Sequence, residues 1–74
     1  MANNSSVLVA RKAHMTAERD GVYVSVALAT GSEPLVWVRP GSIDGERGIT
    51  IPQLQRALAT AKRMVAICED ELSR

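Results

Sequence analysis

Val22-Tyr23-Val24-Ser25-Val26-Ala27-Leu28-Ala29 decides how this chain folds. Valine or leucine fills every second position, so an extended segment would have one apolar face and one mixed face. Asp20-Gly21 before it is a turn signal, and Thr30-Gly31-Ser32-Glu33-Pro34 after it is a loop rich in turn residues. Leu35-Val36-Trp37-Val38-Arg39 then reads as a second strand, stopped by Pro40-Gly41. Together the two runs predict a hairpin. Upstream, Val7-Leu8-Val9-Ala10 is a short apolar run fit for a strand, while Ala13 to Glu18 continues either as extended chain or as a helical turn. The polar residues 1–6 read as a flexible tail, which leaves residues 7–74 as a single domain.

Downstream of the strands, Ser42-Ile43-Asp44-Gly45-Glu46-Arg47-Gly48 reads as a loop and Ile49-Thr50-Ile51 as one further short strand. From Pro52 the period changes: Leu54, Leu58, Ala61, Val65, Cys68 and Leu72 follow one another at alternating steps of four and three, a heptad seam on a helix. About 22 such residues make a rod of roughly 33 Å, longer than a small hairpin sheet covers. The seam therefore has two uses, docking on its own sheet and pairing with the same helix of a second subunit. The expectation is both, with Leu58, Ala61, Val65, Cys68 and Leu72 at a dimer interface. Thr50 and Gln53 have capping-box spacing; alternatively the strand runs through Ile51 and Pro52 opens the helix. The expected fold class is α+β: an antiparallel sheet of three to four strands followed by one long C-terminal helix, dimeric through that helix.

At 74 residues the chain is near the lower limit for a self-sufficient core. Its one cysteine cannot close an internal disulfide, and one cysteine with one histidine cannot by themselves make a zinc site, so a partner subunit is the remaining supplement. No apolar stretch is long enough to span a membrane, and the first residues lack the pattern of a secretory signal, so the expected location is cytoplasmic. Nine Lys and Arg against eight Asp and Glu give a net charge of +1, too little for a global field to draw the chain to nucleic acid or anionic lipid. Any such binding must come from where the charges sit.

Catalysis, metal and cofactor readings find little support. Cys68 lies on the apolar seam, where a free cysteine behaves as a small buried hydrophobe, and His14 is far from it in the chain. Asp44 and Glu46 share a loop with Arg47 and nothing sets them about a scissile bond. Gly41, Gly45 and Gly48 lack the Lys-Ser/Thr ending of a phosphate-binding loop. The outward face of the hairpin is more informative. If the valines face the helix, then Tyr23, Ser25, Trp37 and Arg39 point away from it. An exposed tryptophan beside an arginine is a platform on which unpaired bases stack while cations hold phosphates. The competing reading is that Trp37 covers a dimer interface or a sheet edge.

The series Val22-Tyr23-Val24-Ser25-Val26, Gly31, Val36-Trp37-Val38-Arg39 and Arg47-Gly48-Ile49-Thr50-Ile51, followed by a helix with Leu54, resembles the transcriptional positive cofactor 4 family of single-stranded DNA-binding coactivators, which has bacterial and phage relatives. The resemblance spans about residues 20–72. It implies a curved antiparallel sheet followed by a long helix, two subunits joined through their helices, and sheet grooves that hold unpaired strands. It also implies that Tyr23 and Ser25 lie on the first strand of the motif, that Arg39 ends the second, and that Arg47-Gly48 precedes the third. The chain departs from that pattern at Ala27, where the family has a basic residue, and in the nearly neutral loop 42–47, where the family is lysine-rich.

The leading expectation is a non-catalytic homodimer that binds single-stranded DNA or RNA through Trp37, Tyr23, Arg39, Arg47, Ser25, Arg11 and Lys12, without cofactor or metal, as a coactivator-like factor in transcription regulation or replication. The rival is a small interaction module, an inhibitor or adaptor encoded by a phage, that binds a host protein. A third reading, a small nucleotide ligand held between subunits by Trp37, Arg39 and Arg47, has no distinct sequence mark.

Overall fold

A computed structural model describes residues 11–41 and 48–74. Strand β1 (Lys12–Arg19), β2 (Val22–Ala29) and β3 (Leu35–Pro40) form an antiparallel sheet in the order β1-β2-β3, and helix α1 (Ile51–Leu72) follows. This is an α+β fold. The expected strand at Val7 to Ala10 and the residues Asp44, Glu46 and Arg47 lie outside the described residues.

Asp20 and Gly21 form the two-residue connection between β1 and β2, with φ of 59° and 76°. Both positive values match the type I′ hairpin turn, whose twist suits the strands it joins. Glycine reaches this region without strain and aspartate tolerates it. Arg56 on α1 donates to the Asp20 carboxylate, and the Gln53 amide donates to the Asp20 carbonyl at 3.1 Å. The turn is thereby tied to the first half of the helix. At the other hairpin, Ser32 N–H donates to the Ala29 carbonyl at 3.0 Å, and Gly31 has φ 83° at the third position of that turn. Only a residue without a Cβ takes that position cheaply.

Val22, Val24, Val26 and Leu28 of β2 face the helix and are buried, the three valines to 1% exposure or less. Burying each contributes about 1.5–3 kcal/mol. Against them lie Ala57, Ala61, Met64 and Cys68 of α1, with Ala13 from β1. The helix rests mainly on β2 and β1 and touches β3 least. Val36, on the helix-facing side of β3 opposite Val26, therefore remains 42% exposed.

Two alternatives left open by the sequence are settled here and one expectation changes. Ala13 to Glu18 is strand throughout, fixed by pairing with β2 across the tight turn. Ile49 to Ile51 is not a strand: Thr50 caps α1, with Gln53 N–H donating to Thr50 Oγ1 at 3.2 Å and Thr50 N–H donating to Gln53 Oε1 at 2.9 Å. The reciprocal bonds satisfy two orphan donors of the first turn and set the boundary. Finally, the docking face of α1 runs through Ala57, Ala61, Met64 and Cys68. Ala61 and Cys68, expected at a dimer interface, are 3% and 0% exposed within the single chain. Small residues on this line let the helix approach the valine-rich sheet closely, so their burial is already complete. Leu58 is left 45% exposed, and Val65 and Leu72 are half-buried beside the core.

Candidate nucleic-acid interface

Alternation and register together assemble the other face of the sheet. Strand pairing sets Glu18, Tyr23 and Arg39 in one cross-strand row, Thr16, Ser25 and Trp37 in the next, and His14, Ala27 and Leu35 in a third. Lys12 and Ala29 pair in a fourth. All have the parity opposite to the buried valines, so they share the face that α1 does not cover.

Arg39 carries its guanidinium carbon 4.6 Å from the centre of the Tyr23 ring. A cation over an aromatic face at this exposure gains about 0.5–1 kcal/mol. The contact holds Arg39 along the sheet surface. Among the described residues no carboxylate lies within ion-pair distance of Arg39 or Lys12. Glu18, in the same row as Arg39, uses its carboxylate to accept the Gly21 N–H at 3.0 Å. Beside this pair Trp37 is 53% exposed. The Thr16 and Ser25 hydroxyls share a hydrogen bond of 3.1 Å in the row of Trp37. The arrangement offers a flat aromatic surface, hydroxyls and two cations near opposite ends of the sheet. Such a surface can stack planar rings and hold anionic groups, and it contains no activated nucleophile.

Tyr23, Ser25, Trp37 and Arg39 thus come together on one face, and Lys12 joins them at its far end. Arg11 does not. Its guanidinium donates to the carbonyls of Leu72 at 2.8 Å, Arg74 at 3.0 Å and Glu71 at 3.4 Å. The Glu71 and Leu72 carbonyls belong to the last turn of α1, Arg74 follows the helix, and the last turn holds no basic residue of its own. Arg11 is therefore a cap for the helix C-terminus. Arg47 is among the residues not described. His14, Thr16 and Leu35 belong to the face and were not singled out from the sequence, because placing them requires the strand state and register of β1 and the register of β3.

The remaining chemistry-bearing group is Cys68, fully buried, whose thiol is pushed above its ordinary value by burial and, secondarily, by the Glu71 carboxylate. Among the described residues no cluster of His, Cys, Asp and Glu side chains is arranged to hold a metal ion, and no helix is long and apolar enough to cross a membrane. Compared with known proteins, the chain matches no family model, no curated protein and no solved structure.

Proposed function

We propose that this chain binds single-stranded nucleic acid without catalysis, as a homodimer serving transcription or replication. The observation that carries the reading is the exposed Trp37 beside the stacked Arg39–Tyr23 pair on a sheet face that no described element covers. Stacking on an aromatic side chain is worth about 1–3 kcal/mol per base and tolerates any sequence. Arg39 and Lys12 supply the cations. If each meets one phosphate, binding weakens with a log–log salt slope of about −1.4 per protomer, the value for two phosphates of a single strand. The resemblance to a DNA-binding family, in the part carried by Val22 to Val26 of β2 and Val36 to Arg39 of β3, points the same way. Support for the homodimer is the apolar flank of α1 through Leu58 and Val65, together with the incompletely covered Val36.

The test is titration with labelled oligo-dT by fluorescence anisotropy at low and moderate salt, while following emission from Trp37, the only tryptophan. Saturable, salt-sensitive binding with quenching is expected, and Trp37→Ala should weaken it by about 1–3 kcal/mol without unfolding the sheet. Absence of binding at low salt overturns the proposal.

One observation favours a second reading. Leu35, Val36 and Trp37 are exposed in sequence on a strand at the edge of the described sheet, a surface to which an extended segment of another protein can add as a strand. Such an apolar contact would be insensitive to salt, which separates it from phosphate binding.

A further inference from the structure

Beyond Trp37 the outer face continues into a concavity of about 420 Å³ at the end of the sheet where the β2–β3 loop turns. That volume lies in the range of small-ligand sites. Ala27 and Ala29 form its floor, His14 and Leu35 flank it, and Lys12 and Glu33 bring one cation and one carboxylate to it. Lys12, His14, Ala27, Ala29 and Leu35 of its lining have outer-face parity, the core residues Ala13 and Leu28 also border it, and no residue of α1 contributes. Alanines at the alternate positions 27 and 29 of the central strand leave the space; a larger side chain at Ala27 would fill it.

Its position relative to Trp37 is defined by register. The row of Ala27 lies two strand residues from the row of Ser25 and Trp37, about 7 Å along the sheet. Neighbouring bases of one extended strand can occupy two sites so spaced. The polar groups then discriminate. Glu33 as a carboxylate only accepts hydrogen bonds, and it repels phosphate, which is drawn to Lys12 and Arg39 instead. Cytosine and adenine carry an exocyclic amine that can donate to a carboxylate, whereas thymine and uracil present a carbonyl oxygen at the equivalent position.

Resting on the single-strand reading above, we infer that this concavity is a second base subsite next to Trp37, and that it prefers amino-bearing bases through Glu33. The experiment compares oligo-dC with oligo-dT, each of about eight nucleotides, against the full chain at neutral pH, reading anisotropy and Trp37 emission. The expected result is about three- to tenfold tighter binding of oligo-dC, the size of one hydrogen bond to a partly exposed group. Glu33→Ala and Ala27→Leu should each remove that preference while oligo-dT still quenches Trp37. Neither position belongs to the buried core, so both variants should fold. Equal affinity of the two oligonucleotides in the unaltered chain, or a preference that survives in either variant, overturns the subsite and leaves the stacking proposal standing. No quenching by either oligonucleotide overturns both.

Discussion

Gly41 N–H donates to the Gly21 carbonyl at 2.8 Å, so the end of β3 is fastened to the turn that joins β1 and β2. A Cβ at position 41 would stand 2.9 Å from that oxygen and 3.2 Å from its carbon. Both atoms are backbone and cannot swing aside. Gly41→Ala should therefore cost about 1–3 kcal/mol, as overpacking does, seen as a lower denaturant midpoint with an unchanged slope. Gly48 provides the control: no atom of the described residues lies within 4 Å of a Cβ there, and it is not among the positive-φ glycines. Gly48→Ala should be neutral or stabilise by up to about 1 kcal/mol.

Arg11 and Trp37 should separate cleanly. Removing the guanidinium that meets the carbonyls of Glu71, Leu72 and Arg74 deprives the helix end of its cationic cap. Arg11→Ala is expected to lower stability by about 0.5–1.5 kcal/mol and to leave oligonucleotide affinity within about twofold of the unaltered chain. Parallel melts and anisotropy titrations check it; a loss of affinity with unchanged stability would return Arg11 to the binding face.

Burial of Cys68 makes one contribution to how stability changes at alkaline pH. Its folded value is raised above the ordinary 9.0, so the unfolded chain releases the thiol proton first as pH climbs. Below that value both states hold the proton and the full stability is present. Above it stability falls until the folded value is passed. Thermal midpoints measured from pH 7 to pH 10.5 should drop more steeply for the unaltered chain than for Cys68→Ala, whose lower starting stability reflects the small cavity. A disulfide-exchange reagent should label Cys68 at the rate of unfolding.

Leu58 tests the dimer. It is 45% exposed on α1 and lies outside the core cluster. Leu58→Glu should leave the helical signal in place and convert a dimeric sedimentation profile to a monomeric one. A profile that stays dimeric would place the interface elsewhere.

Alternation made β2 legible, since eight residues in strict period two admit one reading, and the outward set Tyr23, Ser25, Trp37 and Arg39 followed from parity alone. In β1 the inward positions are Ala13, Met15 and Ala17, residues with weak strand preference, so its state depended on pairing with β2. The same small-residue ambiguity affected α1. Its heptad seam was real as a pattern, yet the sheet took Ala57 and Met64 and left Leu58 exposed, so the docking line is rotated from the seam. Arg11 could not have been read locally, because the carbonyls it meets belong to residues at the opposite end of the chain.

Among the described strands, the one that carries Trp37 and Arg39 pairs only with β2 and has the slightest contact with α1. Amides of β2 exchange with solvent only when the whole domain opens, whereas those of β3 can exchange through a smaller, local opening. The proposed binding face thus includes the described strand that α1 covers least. A bound strand lying across β2 and β3 would slow that local opening, so occupancy would register as hydrogen-exchange protection in β3 before any change in the valine core.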